Sequence, residues 1–122
     1  MKPETMLLRQ VHPSFVQAGR VTSQAFRPTP KDEGKLSAYD GDQIDAPGSW
    51  THYTETLGLP SVGTLGLTVA EFEQEDLVVI PDGVPFAEHV SIDYSAFDRG
   101  KIEKKAKRLK KTSVARGWLY EA

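Results

Sequence analysis

Three histidines and a few arginines are the residues of this 122-residue chain whose types could do proton or phosphate chemistry. His12 precedes Pro13 and lies close in sequence to Arg9. His52 sits in "APGSWTHYTETLGLP", and His89 opens the alternating run "HVSIDY". Imidazole titrates near neutral pH, so each histidine could act as a general acid or base. Arg9, Arg20 or Arg27 could hold a phosphate or an oxyanion, and Tyr53 or Ser23 could orient a substrate. This is the set a small metal-independent enzyme acting on a nucleotide or RNA would use, with His12 or His89 paired to Arg9 or Arg27. The sequence carries no Gly-rich phosphate loop, no nucleophile elbow and no cofactor motif. HxH, HxxxH and HExxH spacings are absent, and His89 and Asp93 would stand ~13 Å apart on one strand. Asp40, Asp42 and Asp45 miss the calcium-loop pattern, because no Glu closes a twelve-residue loop. No metal site and no cofactor are expected.

The second chemical feature is electrostatic. Between Arg99 and Arg116 stand nine Lys or Arg residues and one acid, Glu103, whereas Asp32 to Asp98 holds fourteen acids and one base. The net charge of −2 hides this split. It marks either a surface facing a partner or two parts of one molecule that attract each other. Lys104, Lys105, Lys107, Arg108, Lys110 and Lys111 would supply phosphate contacts, with Trp118 and Tyr120 anchoring the helix end or adding a stacking contact. The excess of Lys over Arg suits phosphate more than base readout. Alternatively the segment docks through Ile102, Ala106 and Leu109 onto the chain's own acidic body. The charge pattern favours a non-catalytic binding or accessory protein that contacts nucleic acid or an acidic protein partner through this segment. The alternative is the small enzyme described above, and charge-paired homo-oligomers are a third possibility.

Composition sets the frame for both. The chain is 39% hydrophobic and 26% charged, with no cysteine. That is ordinary for one globular domain, excludes disulfides, and fits a reducing cytoplasm. No run approaches the ~20 apolar residues of a membrane span. Met6 to Leu8 is too short for a secretory core, so export is not expected.

The elements that must position these residues follow from pattern. "MLLRQV", "RVTSQAF", "KLSAYDG", "SVGTLGLTV", "LVVIP" and "HVSIDY" read as short strands, "LVVIP" as a buried one. In "HVSIDY", Val90, Ile92 and Tyr94 point one way and His89, Ser91 and Asp93 the other. Pro13 and Ser14 mark a helical turn ended by Gly19. A helix over "APGSWTHYTETLGLP" would be capped by Ser49 and stopped by Gly58 and Pro60, with Trp50, Tyr53 and Leu57 on its apolar face and His52 opposite. Thr68 and Glu71 have capping-box spacing. Gly63 and Gly66 mark close backbone approach. "RPTPKDEG" reads as an exposed loop. From Lys101 a helix presents the stripe Ile102, Ala106, Leu109 and Ser113, and Gly117 ends it.

The expected fold class is α+β: a small mixed or largely antiparallel sheet of about five strands, a central helix and a basic C-terminal helix. Residues 1–98 form the acidic core, and residues 99–122 the basic helix and apolar anchor of the same domain.

The cadence "VHPSFVQAGRVTSQAF…LSAYDG", within residues 7–41, together with "HVSIDY", is similar to small uncharacterised bacterial proteins of mobile-element or conflict-gene neighbourhoods. The resemblance assigns no residue roles.

Overall fold

The computed structural model describes residues 1–29 and 33–122. Pro30, Lys31 and Asp32, in the expected exposed loop, lie outside the described residues. Among the described residues the architecture is α+β, with a six-stranded antiparallel sheet and three α-helices. The strands are β1 (Met6–Gln10), β4 (Lys35–Asp40), β5 (Gly63–Thr68), β6 (Val78–Ile80), β7 (His89–Asp93) and β8 (Tyr120–Glu121), in the order β6-β7-β4-β1-β5-β8. A separate ribbon pairs β2 (Val16–Gln17) with β3 (Arg20–Val21).

The two faces of the sheet are covered differently. Leu7, Leu36, Ala38, Leu65, Leu67, Val90 and Ile92 alternate onto one face and form a core with Ala106 and Leu109 of α3 (Arg99–Arg116). The basic helix therefore shares its core with the sheet. The opposite face receives α1 (Ala46–Thr51), whose Ser49 Oγ accepts from buried Gln10 of β1 at 2.8 Å. The short α2 (Val69–Glu73) closes the α3 side with the expected capping box between Thr68 and Glu71.

Four local expectations are corrected. "RVTSQAF" leaves extended geometry after Val21 and forms a 3-10 turn over Ser23–Phe26. Ala25 N donates to Thr22 O and Arg27 N to Gln24 O, turn bonds that replace a strand ladder and bury Ala25 and Phe26 together. Gly19 ends no helix; with Ala18 it makes the two-residue hairpin turn of β2 and β3, both at positive φ (51° and 74°). Asp45, not Ser49, caps α1, its carboxylate accepting from Gly48 N at 2.8 Å. Pro47 explains the earlier start, because its missing N–H falls in the first turn, where donors have no helical partner. "LVVIP" is an edge strand, not a buried one. β6 has a partner only in β7, and Val78 is 58% exposed.

One irregularity positions the site. β1 and β4 are in register only at Leu7–Asp40 and Leu8–Tyr39. β4 stays paired with β7 back to Lys35, and β1 with β5 out to Gln10. The two central strands part beyond Leu8, opening a wedge that side chains must fill.

Candidate functional site

Arg9 enters the wedge. Its Nε donates to Ala25 O at 2.7 Å and its Nη1 to Ser37 O at 2.9 Å. The guanidinium thus takes a carbonyl that a continued ladder would have given to β1. Around it lies a half-open cavity of about 370 Å³ lined by Arg9, Ser37, Tyr39, Tyr53, Phe86 and His89, with Leu57 and Leu59 at its rim. That volume is at the small end for ligand sites, and the mix of aromatic walls with a few convergent polar groups is typical of them.

Three polar side chains on the β4–β7 side form a chain. Tyr39 pairs with His89 and Ser37 with Ser91 across the two strands, so Ser37, Tyr39, His89 and Ser91 share a face. His89 Nδ1 lies 2.7 Å from Asp82 Oδ1, and His89 Nε2 lies 3.1 Å from Ser37 Oγ. Asp82 Oδ2 accepts from Ser91 Oγ at 2.7 Å. Burial raises the Asp82 carboxyl, but the hydrogen bonds from His89 and Ser91 outweigh it, and the group is held below the usual carboxylate range. An ionised Asp82 can only accept, so the neutral tautomer of His89 that suits this pair has its proton on Nδ1 and its Nε2 lone pair toward Ser37. A serine hydroxyl, an imidazole and a carboxylate in that order have the geometry and roles of a nucleophile, base and orienting acid. His89 is mostly shielded, with an 11% exposed side chain, whereas Ser37 is exposed.

The opposite wall is aromatic. The helix begun by α1 continues as a wider π turn over His52–Thr56. Such turns recur at functional sites because they re-aim side chains. His52, expected opposite the Trp50 and Tyr53 face, turns to the sheet, with Nδ1 at 2.8 Å from Tyr39 Oη. Phe86 packs between His52 and His89, at ring separations of 4.5 and 5.3 Å. Burial pushes the Tyr53 hydroxyl above its ordinary range, with Arg9 acting in the opposite sense, and burial pushes Tyr39 up as well. Tyr53 therefore stays a protonated donor through neutral pH.

Arg9 and His89 thus line one cavity, which the other two enzyme candidates do not. His12 caps a 3-10 turn, Pro13–Phe15, by accepting from Ser14 N at 3.0 Å. Arg27 lines a neighbouring depression with Gln24, Arg99 and Ile102. Ser23 begins the 3-10 turn, and Arg20 lies in the ribbon. Among the described residues, no cluster of His, Asp and Glu is arranged to hold a metal ion. Ser37 and Asp82 were not among the sequence candidates. Two alternating strands, "LSAYD" and "HVSID", held the only signal, and it needed the register to be read.

The basic helix is docked, and the six contact candidates divide. Lys105 is buried, its Nζ donating to Glu75 O and lying 4.1 Å from the centre of the Phe97 ring. Arg108 makes a forked pair with the Glu75 carboxylate, down to 2.6 Å, and the neighbouring Arg116 makes one with Glu71 at 2.8 and 2.9 Å. Neither Lys105 nor Arg108 is thus a spare phosphate ligand. Lys104, Lys107 and Lys111 are exposed and Lys110 half-exposed. Trp118 packs against the core, and Tyr120 lies 5.3 Å from Trp50, so both act as anchors. Part of the charge asymmetry is therefore satisfied within one molecule.

No helix among the described residues is long and apolar enough to cross a membrane. Comparison with protein-family models, curated proteins and solved structures gives no match.

Proposed function

We propose that this protein is a small serine hydrolase or acyl transferase acting on an ester small enough for the cavity beside Ser37. The observation that carries the reading is the hydrogen-bonded series Ser37–His89–Asp82 at the edge of an aromatic-walled cavity. Ser37 Oγ attacks the ester carbonyl as its proton passes to His89 Nε2, and Asp82 stabilises the resulting imidazolium. Tyr53, a neutral donor lining the same cavity, faces the oxyanion, and Arg9 braces the Ser37 backbone through its carbonyl. Collapse of the tetrahedral adduct breaks the bond to the leaving oxygen, which takes the proton from His89. Water, or a second alcohol, then releases the acyl group by the reverse sequence. Phe86, Leu57 and Leu59 contact the apolar part of the substrate. The reducing cytoplasm that a cysteine-free chain fits is the setting proposed.

Hydrolysis of p-nitrophenyl acetate and butyrate tests this. Turnover is expected, with Ser37→Ala and His89→Ala losing about 10³- to 10⁴-fold and Asp82→Asn a comparable factor, as when a member of such a triad is removed. His12→Ala, outside the site, should retain activity. Wild-type turnover no faster than that of Ser37→Ala would overturn the proposal.

A further inference from the structure

The outer face of α3 remains unexplained by the cavity. Ile102, Ala106, Leu109 and Ser113 define the docked side. At 100° per residue, Lys104 and Lys111 point directly away from it, and Lys107 lies within about 50° of that direction. All three are exposed. Lys107 approaches Glu103 at 3.8 Å with both side chains largely in water, a pair of little energetic weight. Lys101, Lys104, Lys110 and Lys111 have no ion-pair partner among the described residues. Two acids that the helix docks against, Glu71 and Glu75, are already committed to Arg116 and Arg108 on its flank. Docking has therefore sorted the cations: Arg108 and Arg116 are neutralised on one flank, and the outer face is not.

We infer that this outer face is a docking strip for the phosphate backbone of a nucleic acid. Lys104 to Lys111 spans ~10 Å along the helix, about three base-pair rises of a duplex. Lysine is a point charge suited to phosphate and is depleted at protein interfaces. Residues 99–116 hold no aromatic residue to serve as an anchor of the kind protein partners use. Trp118 and Tyr120, packed inward, leave no platform for base stacking. Contact through charge alone predicts weak, sequence-independent binding, in the range of about 10⁻⁴ to 10⁻⁶ M for such contacts.

The test is fluorescence anisotropy with a labelled 20-base-pair DNA duplex. Three neutralised phosphates predict that affinity falls about 20-fold between 50 and 150 mM salt. A triple variant, Lys104→Gln, Lys107→Gln and Lys111→Gln, should lose that salt dependence and at least ten-fold in affinity at 50 mM, with an unchanged circular dichroism spectrum. Lys2→Gln, a surface lysine away from the strip, should bind as wild type. No binding at 50 mM salt, or a triple variant with the wild-type salt slope, would overturn the inference. So would binding of labelled polyglutamate without binding of the duplex, which would identify an acidic protein partner instead.

Discussion

Removing one hydroxyl, by Tyr94→Phe, probes how the core holds the site. Tyr94 follows β7 and is fully buried, and its Oη donates to Phe26 O at 2.6 Å. Phe26 ends the 3-10 turn whose Ala25 carbonyl receives Arg9 Nε. The bond therefore ties the sheet to the segment that holds Arg9 in its wedge. Phenylalanine keeps the ring and its packing, so the change removes one buried donor and leaves its carbonyl acceptor behind. Stranding a buried polar group costs about 1–3 kcal/mol. Unfolding entropies of ~2.1 cal/mol/K per residue imply that ~1 kcal/mol lowers the Tm of a chain this size by about 4 °C. The expected drop is thus about 4–12 °C, read by circular dichroism melting at neutral pH. A loss of esterase activity larger than the unfolded fraction explains should accompany it, through displacement of Arg9. An unchanged or raised Tm would refute the assignment of this bond as a structural tie.

Two further outcomes follow from the charged groups. Glu71 is held below its ordinary value of 4.5, first by its hydrogen bond from Arg116 and then, against the effect of burial, by Thr68. A depressed folded-state value contributes stability above the unfolded pKa that is lost as pH falls through the folded one. Melting temperature should accordingly decline below about pH 5, with Asp82 and Asp93 adding in the same sense, and Arg116→Gln should shrink that decline. Lys105→Glu should destabilise strongly, by about 3 kcal/mol or more, because it places a carboxylate beside the Glu75 carbonyl in a buried position. Lys104→Glu, one residue earlier and exposed, should stay within about 0.5 kcal/mol; equal effects in urea titrations would refute the docking of α3.

Periodicity carried the fold well where the pattern was local. The apolar-polar alternation of β7, the stripe of α3 and the capping box of Thr68 and Glu71 are such patterns. Gly63 does meet a close backbone, since a Cβ there would stand 2.6 Å from Tyr120 O. What pattern could not convey was pairing. Lys105 looks like its neighbours in sequence, and only the position of Glu75 and Phe97 makes it a buried lysine. Ser37 reads as a polar residue on a solvated face until β7 is laid beside β4, 52 residues on, with His89 in reach. Asp82 reads as a turn residue. The wedge that Arg9 fills comes from a ladder that stops after two pairs, which no single strand announces. The charge split was visible at once, but its division into paired and unpaired cations depended on which acids α3 lands against.

Labelling with a fluorophosphonate probe tests the central claim most directly, because it reports nucleophile activation without requiring the natural substrate. The intact protein should gain one adduct by mass spectrometry, mapped to Ser37, and labelling should vanish in Ser37→Ala and fall steeply in His89→Ala and Asp82→Asn. A folded protein that takes up no label, or takes it up equally in those variants, would contradict the assignment of Ser37, His89 and Asp82 as a working nucleophile, base and orienting acid.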